Sequence, residues 1–377
     1  MIKSFYINLI LLLSIFSTIQ AKEELVFGTS LPMNGIMQEW GDGVISGANS
    51  YFYYTNDNNI LQQYRIKLIA YDDKYEPDST YLNTKKLITQ DKVFGLFGFV
   101  GTPTVKNILS IINDNNTPFI APFTGAMFLR DNHNPDIINL RTNYYKEIKS
   151  IVNYLHNIKH IDEFSVFYQN DDYGHEGYTS LLKILKLQDL KLISEGTYKR
   201  NTLSINHAIN EIKESKPKAI IMIGAHKANS TFIKKARLDE NFKNTIFAIV
   251  SFGDADAMIK DLDYESENLI FSQIVPSYND TTIPIVKQYR KIYSNYYPNK
   301  EYSFISLEAF IGAKIVVDSM REISGKITQK KFIQNIKQYK NSEEGIIIEY
   351  KNKQLLNKVY LFEYTNFNFK EIIYDNQ

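Results

Sequence analysis

Short apolar strands alternate with amphipathic helical segments along most of this chain, and no other feature of the sequence constrains the fold as strongly. Residues 25–31, 65–71, 93–97 and 118–121 have the composition of buried strands, and segments with helical spacing of apolar residues separate them. This alternation predicts a parallel sheet with right-handed crossovers. A second series of strands and helices begins at residue 163 and predicts a second sheet. The expected fold is therefore α/β, with two lobes that each contain a doubly wound parallel sheet.

The end of the chain changes pattern, from three helical segments after residue 276 to strands in the tail. Such an ending indicates that the chain crosses back between the lobes, and we expect a three-segment hinge. The expected crossings lie near Arg141, residues 273–276 and residues 342–345. The predicted division is a signal peptide (1–21), an N-terminal lobe (22–141 with 276–342) and a C-terminal lobe (142–275 with 343–377).

The first 21 residues have the pattern of a cleaved secretory signal peptide. Lys3 supplies a positive charge, residues 5–16 are apolar, and Ala21 precedes a charged stretch. The apolar stretch is too short to cross a bilayer comfortably, and no later stretch is apolar enough to do so. The absence of cysteine excludes a disulfide framework and an acylated N-terminal Cys anchor. We therefore expect an exported, periplasmic protein.

Charge and motifs argue against two other classes of protein. The formal charge is +1, from 43 basic and 42 acidic side chains, which gives no electrostatic reason to expect nucleic acid as a partner. The sequence lacks Gly-x-Ser-x-Gly, His-Glu-x-x-His and phosphate-loop motifs, and it has no cysteine nucleophile. Its glycine spacing after the strand at 93–97 differs from the dinucleotide fingerprint. We therefore expect neither an enzyme nor a cofactor.

Two pairs of residues could suggest a metal site. Asp72 and Asp73 are adjacent, and His156 and His160 share a helix face. Neither pair has a third ligand at a suitable spacing. We therefore expect the aspartates in a solvated turn, the histidines in surface or structural roles, and no metal.

Two neighbouring strands are followed by loops that contain threonine and glycine. Thr102 follows the strand at 93–97 and is expected to cap a helix, and Thr124-Gly125 follows the strand at 118–121. Ligands in open parallel sheets bind beyond the carboxyl ends of the strands. A hydroxyl at a helix start, beside free N–H groups and the positive dipole end, attracts an anion. An anion site at Thr102 is one interpretation, and an ordinary capped strand-to-helix turn is the other.

Two further residues follow strands on the same side of the predicted sheets. Trp40, the only tryptophan, is predicted in a loop after the first strand. Its ring could either lie in the core or face a cleft, and the sequence does not decide between the two. His226 follows the strand at 218–223, and the sequence is equally compatible with a ligand-binding role and with a structural role for it. If His226 contacts the ligand, its titration near its ordinary pKa of about 6.5 would make affinity depend on pH.

The order and spacing of the segments resemble those of bacterial periplasmic substrate-binding proteins of the leucine/isoleucine/valine-binding type. The resemblance covers essentially the whole mature chain. The matching segments are FGTSLPMNG, QEWGDGVISGA, AYDDKYEP, FGFVGTPT, APFTGA with FLR, NLRTNYYKE, YQNDDYGHEGY and SLEAFIGAK. This resemblance implies the type I two-lobed fold, hinge closure around a small molecule, and delivery to the permease subunits of an ABC transporter by a monomer. A sensory protein that signals to a membrane histidine kinase or chemoreceptor is the alternative.

The resemblance also implies roles for individual residues. The loop of Thr102 would hold a ligand carboxylate, and the loop of Thr124 would add a carbonyl and a hydroxyl. Trp40 would cover the ligand side chain, and Tyr173 would close onto it from the second lobe. The candidate ligand-binding residues are Trp40, Gly101, Thr102, Thr104, Phe123, Thr124, Gly125, Tyr173, His226, Ser251 and Asp254.

Two departures from the family pattern bear on the ligand. Where relatives that bind aliphatic amino acids have a tyrosine, this chain has Ala225-His226. Where those relatives have a glutamate that pairs with the ligand ammonium, this chain has Ser251, with Asp254 displaced. We therefore expect a carboxylate- or amide-bearing ligand with an apolar body, and rank branched-chain amino acids second.

Overall fold

The first sheet contains five parallel strands, in the order β2-β1-β3-β4-β5. The computed structural model describes residues 22–374, so the predicted signal peptide lies outside the described residues. The strands are β1 Glu23–Leu31, β2 Tyr64–Asp72, β3 Gly95–Phe97, β4 Phe119–Ile120 and β5 Ile137–Ile138. Because β3 and β4 are neighbours, the two threonine loops begin side by side.

The second sheet contains seven strands, in the order β14-β13-β10-β9-β8-β6-β7. Strands β6 to β10 pair in parallel, whereas the tail strands β13 and β14 add to the sheet edge in antiparallel fashion. The strands are β6 Glu163–Gln169, β7 Lys191–Tyr198, β8 Ala219–Ile223, β9 Ile246–Ile249, β10 Leu269–Gln273, β13 Tyr360–Thr365 and β14 Asn368–Glu371. The short antiparallel pair β11 (Lys340–Asn341) and β12 (Ile348–Glu349) stands apart.

Helices connect the strands and cover the sheets. They are α1 Gln38–Asp57, α2 Pro77–Thr89, α3 Thr102–Lys106, α4 Leu109–Asn115, α5 Tyr144–Asn157, α6 Asp172–Leu187, α7 Asn206–Lys213, α8 His226–Ala236, α9 Ala255–Asp261, α10 Pro284–Tyr296, α11 Phe304–Arg321 and α12 Gln329–Ile336. None of the helices in the described part of the chain is long and apolar enough to cross a membrane. The expected alternation of strands and helices, in two parallel-sheet lobes, is confirmed.

Helix α11 returns late in the chain to pack against α1, beside the first sheet. All of its residues except Arg321 are buried, and the charged ones among them, Glu308, Lys314 and Asp318, are held in ion pairs. Gly47 allows the close approach, because a Cβ atom there would lie 2.2 Å from the carbonyl oxygen of Ser306. A larger residue at position 47 would therefore push the two helices apart.

The helix predicted to start at Thr102 is divided into two short ones. Gly101 is the N-cap of α3, and Thr102 is its first residue, so the expectation that Thr102 caps the helix is wrong by one position. The break follows because Ile108 N–H donates to Val105 three residues back, which tightens the turn before α4 begins. The spacing of apolar residues survives the break, and Val105, Ile108 and Ile112 remain buried.

The expectation of a solvated turn at Asp72 and Asp73 is wrong for Asp73. Its carboxylate is buried and accepts hydrogen bonds from Ser30 Oγ at 2.8 Å, the Tyr75 amide at 2.9 Å and Thr80 Oγ1 at 3.1 Å. Burial raises the pKa of Asp73 to about 6. Asp73 therefore fixes the turn after β2 from inside. No group of three or more metal-ligating side chains occurs within residues 22–374.

Candidate functional site

Three hydroxyl groups meet beyond the carboxyl ends of β3 and β4. Thr102 Oγ1 lies 2.7 Å from Thr124 Oγ1, and Tyr144 Oη lies 3.5 Å and 3.3 Å from these two atoms. All three side chains are buried. Each hydroxyl can donate or accept, so its proton can turn toward an acceptor placed beside it. We call Thr102, Thr124 and Tyr144 the hydroxyl cluster.

Two glycines make room for the hydroxyl cluster. Gly101 has φ +103°, and a Cβ atom there would lie 2.2 Å from the ring of Tyr75. A Cβ atom on Gly125 would lie 2.8 Å from the ring of Tyr144. The backbones of the two loops are also joined, because Gly101 N–H donates to the carbonyl of Phe123 at 3.2 Å. Any side chain at either glycine would displace the threonine loops.

Thr104 does not join the hydroxyl cluster. Its hydroxyl turns back into α3 and donates to the carbonyl of Gly101 at 2.9 Å. Because α3 has only five residues, its dipole is small compared with that of the longer helix expected from the sequence. The hydroxyl groups, rather than the helix end, are the main polar feature of this loop.

Phe252 stands between the two aromatic residues expected to enclose the ligand. Its ring stacks on Trp40 at 4.8 Å between centroids and lies 4.7 Å from Tyr173 and 6.2 Å from Tyr75. All four rings are buried. We call Trp40, Tyr75, Tyr173 and Phe252 the aromatic box. The sequence analysis missed Phe252 because it follows β9 in a short 3₁₀ turn without any periodic pattern.

The expected loop position of Trp40 is wrong, because the residue lies in the first turn of α1. Its ring is fully buried and also contacts Phe123, at 5.7 Å between centroids. Within the described residues, neither Trp40 Nε1 nor Tyr173 Oη has a hydrogen-bond partner. Burial raises the pKa of Tyr173 well above its ordinary value, so the hydroxyl keeps its proton. The indole N–H of Trp40 and the hydroxyl of Tyr173 are therefore buried hydrogen-bond donors without an acceptor in the described residues.

Arg141 is a buried cation beside the aromatic box. Its guanidinium donates to both carboxylate oxygens of Glu308, at 2.9 Å and 2.6 Å, and to Ser251 Oγ at 3.3 Å. It also lies 5.6 Å from the ring centroids of Trp40 and Phe123. Arg141 is at the first expected crossing, and the partner Glu308 is on α11. The pair therefore joins two distant segments of the chain at the site.

Glu147 is a second buried acid at the site, and it lies one turn after Tyr144 on α5. Its Oε2 atom accepts hydrogen bonds from the Ser251 amide at 2.9 Å and from Ser272 Oγ at 2.7 Å. The spacing of three residues in Tyr144-Tyr-Lys-Glu147 could have predicted that both face the same side. The residues that sequence reasoning missed are Tyr75, Arg141, Tyr144, Glu147, Phe252 and Glu308.

Asp254 lies away from the hydroxyl cluster. Its side chain caps α9, where Oδ1 accepts the Ala257 amide at 3.2 Å. It lines a cavity of about 730 Å³ between α1, α9 and α10 that has no member of the hydroxyl cluster in its lining. Burial, and then the nearby charge of Asp256, raise the pKa of Asp254 to about 8.

His226 is buried at the start of α8. Its Nε2 atom lies 3.5 Å from Glu39 and 3.9 Å from Asp261, too far for a strong hydrogen bond. Burial lowers the pKa of His226 to about 3, so the ring is neutral near pH 7. This lowered pKa gives no support to a titration of His226 near pH 6.5, and a role of His226 in ligand binding stays a prediction.

Ion pairs join segments that follow strands of the first sheet to segments that follow strands of the second, at the rim of the site. Lys106 Nζ lies 2.6 Å from Asp172, and Arg200 bridges Glu76 at 3.0 Å and Asp171 at 3.2 Å. We call these two sets the rim contacts. With the rim contacts formed, the hydroxyl cluster and the aromatic box are shielded from solvent.

Three solved structures show how widely this architecture is shared. A protein from Rhodopirellula baltica SH 1, described as a possible leucine/isoleucine/valine-binding protein, is 30% identical, with 95% of this chain and 98% of that chain covered and a TM-score of 0.89. The substrate-binding protein LivJ from Streptococcus pneumoniae, in complex with isoleucine, is 15% identical, with 92% and 98% covered and a TM-score of 0.81. A solute-binding protein from R. palustris, in complex with benzoate, is 14% identical, with 93% and 95% covered and a TM-score of 0.82. The last two show the fold alone.

The family model described as "Periplasmic binding protein" matches residues 24–368. A comparison with curated proteins gives no significant match. The matched span includes both sheets, the hydroxyl cluster and the aromatic box. The expected family and fold are confirmed: this chain belongs to the periplasmic binding protein family and is a solute-binding protein with the type I two-lobed fold.

Proposed function

We propose that the protein captures a small carboxylate- or amide-bearing solute between its lobes in the periplasm and delivers it to an ABC-type importer. The hydroxyl cluster carries this proposal. Thr102 begins α3 and Thr124 lies in the loop after β4, both beyond strands of the first sheet. Tyr144 begins α5, the helix that leads into the second sheet. A ligand at this place would touch both lobes, and hence would favour the closed form.

The chemistry of the hydroxyl cluster suits an oxygen acceptor. Each hydroxyl can donate one hydrogen bond, and a bond to a charged acceptor contributes roughly 1.5–3 kcal/mol. Trp40 Nε1–H and Tyr173 O–H are two more buried donors, without partners in the described residues. The guanidinium of Arg141 is already engaged by Glu308. Neutral donors, rather than a free cation, would therefore hold the carboxylate or amide oxygen.

The aromatic box limits the apolar part of the solute. Phe252 occupies the space between Trp40 and Tyr173, the two rings expected to enclose an apolar body. A long apolar body would have to displace this ring, whereas a short one would require less displacement. We therefore expect a preference for short-bodied solutes.

A thermal-shift screen tests the proposal with amino acids, aromatic acids, short-chain acids, amides and purines. A ligand at a hundred-fold excess over its Kd should add about 2.7 kcal/mol to the free energy of unfolding. The best ligand is then measured by calorimetry against Thr102→Val, which removes a cluster hydroxyl, and Thr104→Val, which removes a hydroxyl outside the cluster. We expect Thr102→Val to weaken binding about ten-fold or more, and clearly more than Thr104→Val.

Equal affinities for the two valine variants would remove Thr102 from the site. Delivery is tested separately, by uptake of the labelled ligand in cells with and without the gene. Unchanged uptake, together with a lost chemotactic or kinase response, would replace the importer by a membrane sensor.

A further inference from the structure

We propose that Tyr75 is a specificity-determining residue that shuts one end of the ligand site, and that Gln169 positions the ring of Tyr75 there when the lobes are closed. This inference rests on the proposed function, because it places Tyr75 beside a solute in the same cleft. It concerns the length of the solute and the closing of the cleft, whatever polar group the solute carries.

The first observation is the backbone of the turn that carries Tyr75. Lys74 and Tyr75 have φ values of +54° and +59°, in the left-handed region that residues other than glycine rarely adopt. The turn is held by Asp73, whose carbonyl accepts from the Glu76 amide at 2.9 Å and whose buried carboxylate accepts from the Tyr75 amide at 2.9 Å. Backbone strain of this kind persists only where the surrounding structure fixes it, and it is common at binding sites. The strained turn places a large aromatic side chain beyond the carboxyl end of β2, where ligands of such sheets bind.

The second observation is the position of the ring. The centroid of the Tyr75 ring lies 6.2 Å from that of Phe252 in the aromatic box and 5.9 Å from the guanidinium carbon of Arg200 in the rim contacts. The ring also covers Gly101, where a Cβ atom would lie 2.2 Å from a ring carbon. Tyr75 has no exposed surface. The ring therefore fills the space between the rim contacts and the aromatic box, and a solute that extends in this direction would have to displace it.

The third observation is the hydrogen bond that Gln169 donates to Tyr75. Gln169 Nε2 lies 3.3 Å from Tyr75 Oη, and Gln169 is also buried. The orientation of its side-chain amide is fixed, because Tyr198 Oη accepts from the Ala225 amide at 2.8 Å and in turn donates to Gln169 Oε1 at 3.0 Å. One N–H of the amide donates to Asp171 at 2.7 Å, which leaves the other for Tyr75. Gln169 is therefore oriented in advance to bind the Tyr75 hydroxyl.

This hydrogen bond links segments of the two sheets, because Tyr75 follows β2 and Gln169 is the last residue of β6. It forms when the lobes close, and it is lost when they separate. A solute that leaves the ring of Tyr75 in place allows the bond, whereas a longer solute that displaces the ring prevents it. Solute length is thereby converted into a difference in the stability of the closed form.

The only tryptophan of the chain provides the first test, in solute-free protein. Trp40 is buried in the aromatic box, so quenching of its fluorescence by acrylamide reports the access of small molecules to the site. Tyr75→Asn removes the ring, and asparagine tolerates the left-handed backbone better than most residues. We expect its quenching constant to exceed that of wild type by about two-fold or more, with a smaller increase for Tyr75→Phe. Tyr81→Asn, which alters an exposed tyrosine on α2, is the matched control and should be quenched like wild type.

A series of straight-chain acids from propanoate to octanoate, with the corresponding amides, provides the second test. Wild type should bind a short member best, and Tyr75→Asn should raise affinity for the longer members about ten-fold relative to the short ones. Tyr75→Phe keeps the ring and loses only the hydroxyl, so the preferred length should stay the same. Because one neutral hydrogen bond is lost from the closed form alone, the preferred member should dissociate from Tyr75→Phe about two- to ten-fold faster, at an unchanged association rate. Calorimetry measures the affinities, and stopped-flow tryptophan fluorescence measures the rates.

The two tests can overturn each part of the inference separately. Equal quenching of wild type and Tyr75→Asn would show that the ring does not shut the site, and a merely structural role would give this result together with a lower midpoint of urea unfolding. An unchanged length preference in Tyr75→Asn would show that Tyr75 does not determine specificity. Wild-type quenching and dissociation in Tyr75→Phe would remove Gln169 as the positioning residue. Misfolding of Tyr75→Asn would leave the decision to Tyr75→Phe, which retains the ring.

These outcomes are distinct from a failure of the proposed function. With measurable binding by wild type, each of them would leave a solute-binding protein whose length preference has another origin. Failure of every acid and amide to bind would overturn the role of Tyr75 in specificity, and a negative result in the broader screen would then remove the proposed function. The quenching test needs no solute and decides in either case whether Tyr75 shuts the site.

Discussion

Replacing Arg141 by methionine should destabilise the protein strongly, because it leaves buried acids without a cation. Arg141 is 1% and Glu308 is 4% exposed, and two hydrogen bonds of 2.9 Å and 2.6 Å join them. Breaking a buried ion pair from one side costs about 3–5 kcal/mol. We expect Arg141→Met to lie at the upper end of this range, because Arg141 interacts electrostatically with Glu147 as well as with Glu308. Glu308→Leu should cost less, since Arg141 can then turn toward Glu147.

Urea unfolding at pH 7 measures both changes, with the slope of the transition checked for each variant. The double variant Arg141→Met/Glu308→Leu should be more stable than the sum of the two single losses predicts, because it removes both charges together. The exposed pair of Lys191 and Glu163, 3.5 Å apart, is the control and should show little coupling. A loss below about 1 kcal/mol for Arg141→Met, or strictly additive losses, would refute the reasoning.

Three further predictions concern motion, ligand size and pH. Scattering should show a smaller radius of gyration with bound ligand than without it, and an unchanged radius at saturation would contradict hinge closure. Phe252→Ala should favour longer-bodied solutes over short ones in competitive binding, and an unchanged ranking would show that this ring does not limit ligand size. The free energy of unfolding should fall as pH rises from about 4 to about 8, because the folded pKa of Asp254, about 8, lies above the ordinary value of 3.8. Asp254→Asn retains a helix cap and should make this decrease smaller; an identical pH profile would contradict the raised pKa.

The sequence predicts the alternation of strands and helices well, because the burial pattern of each element is visible in the spacing of apolar residues within that segment. Residues 65–71 and 163–168, for example, lie within the observed strands β2 and β6. The residues at which helices and strands begin and end are harder to predict, since they depend on single hydrogen bonds. Thr102 differs from its predicted position by one residue, and Trp40 lies inside a helix instead of before it.

The residues of the site likewise fall into a group that could be predicted from the sequence and a group that could not. Thr102 and Thr124 could be placed together from the sequence, since neighbouring parallel strands bring their loops to one edge. The partnership of Arg141 with Glu308 could not, because 167 positions separate the two residues and only the packing of α11 brings them together. Glu147 was hidden for the same reason. Phe252 has no periodic neighbour that would mark it as part of a buried group.

The packing of α1 against α11 determines how late in synthesis this part of the core can form. Helix α1 ends at Asp57, and α11 begins at Phe304, so the ribosome must add residues 58–303 before the second helix of the pair exists. At ordinary rates of synthesis this takes roughly ten to fifty seconds. Throughout that interval the face of α1 that packs against α11 has no permanent cover. The nascent chain is therefore open to chaperones and export factors until residues 304–321 have been made.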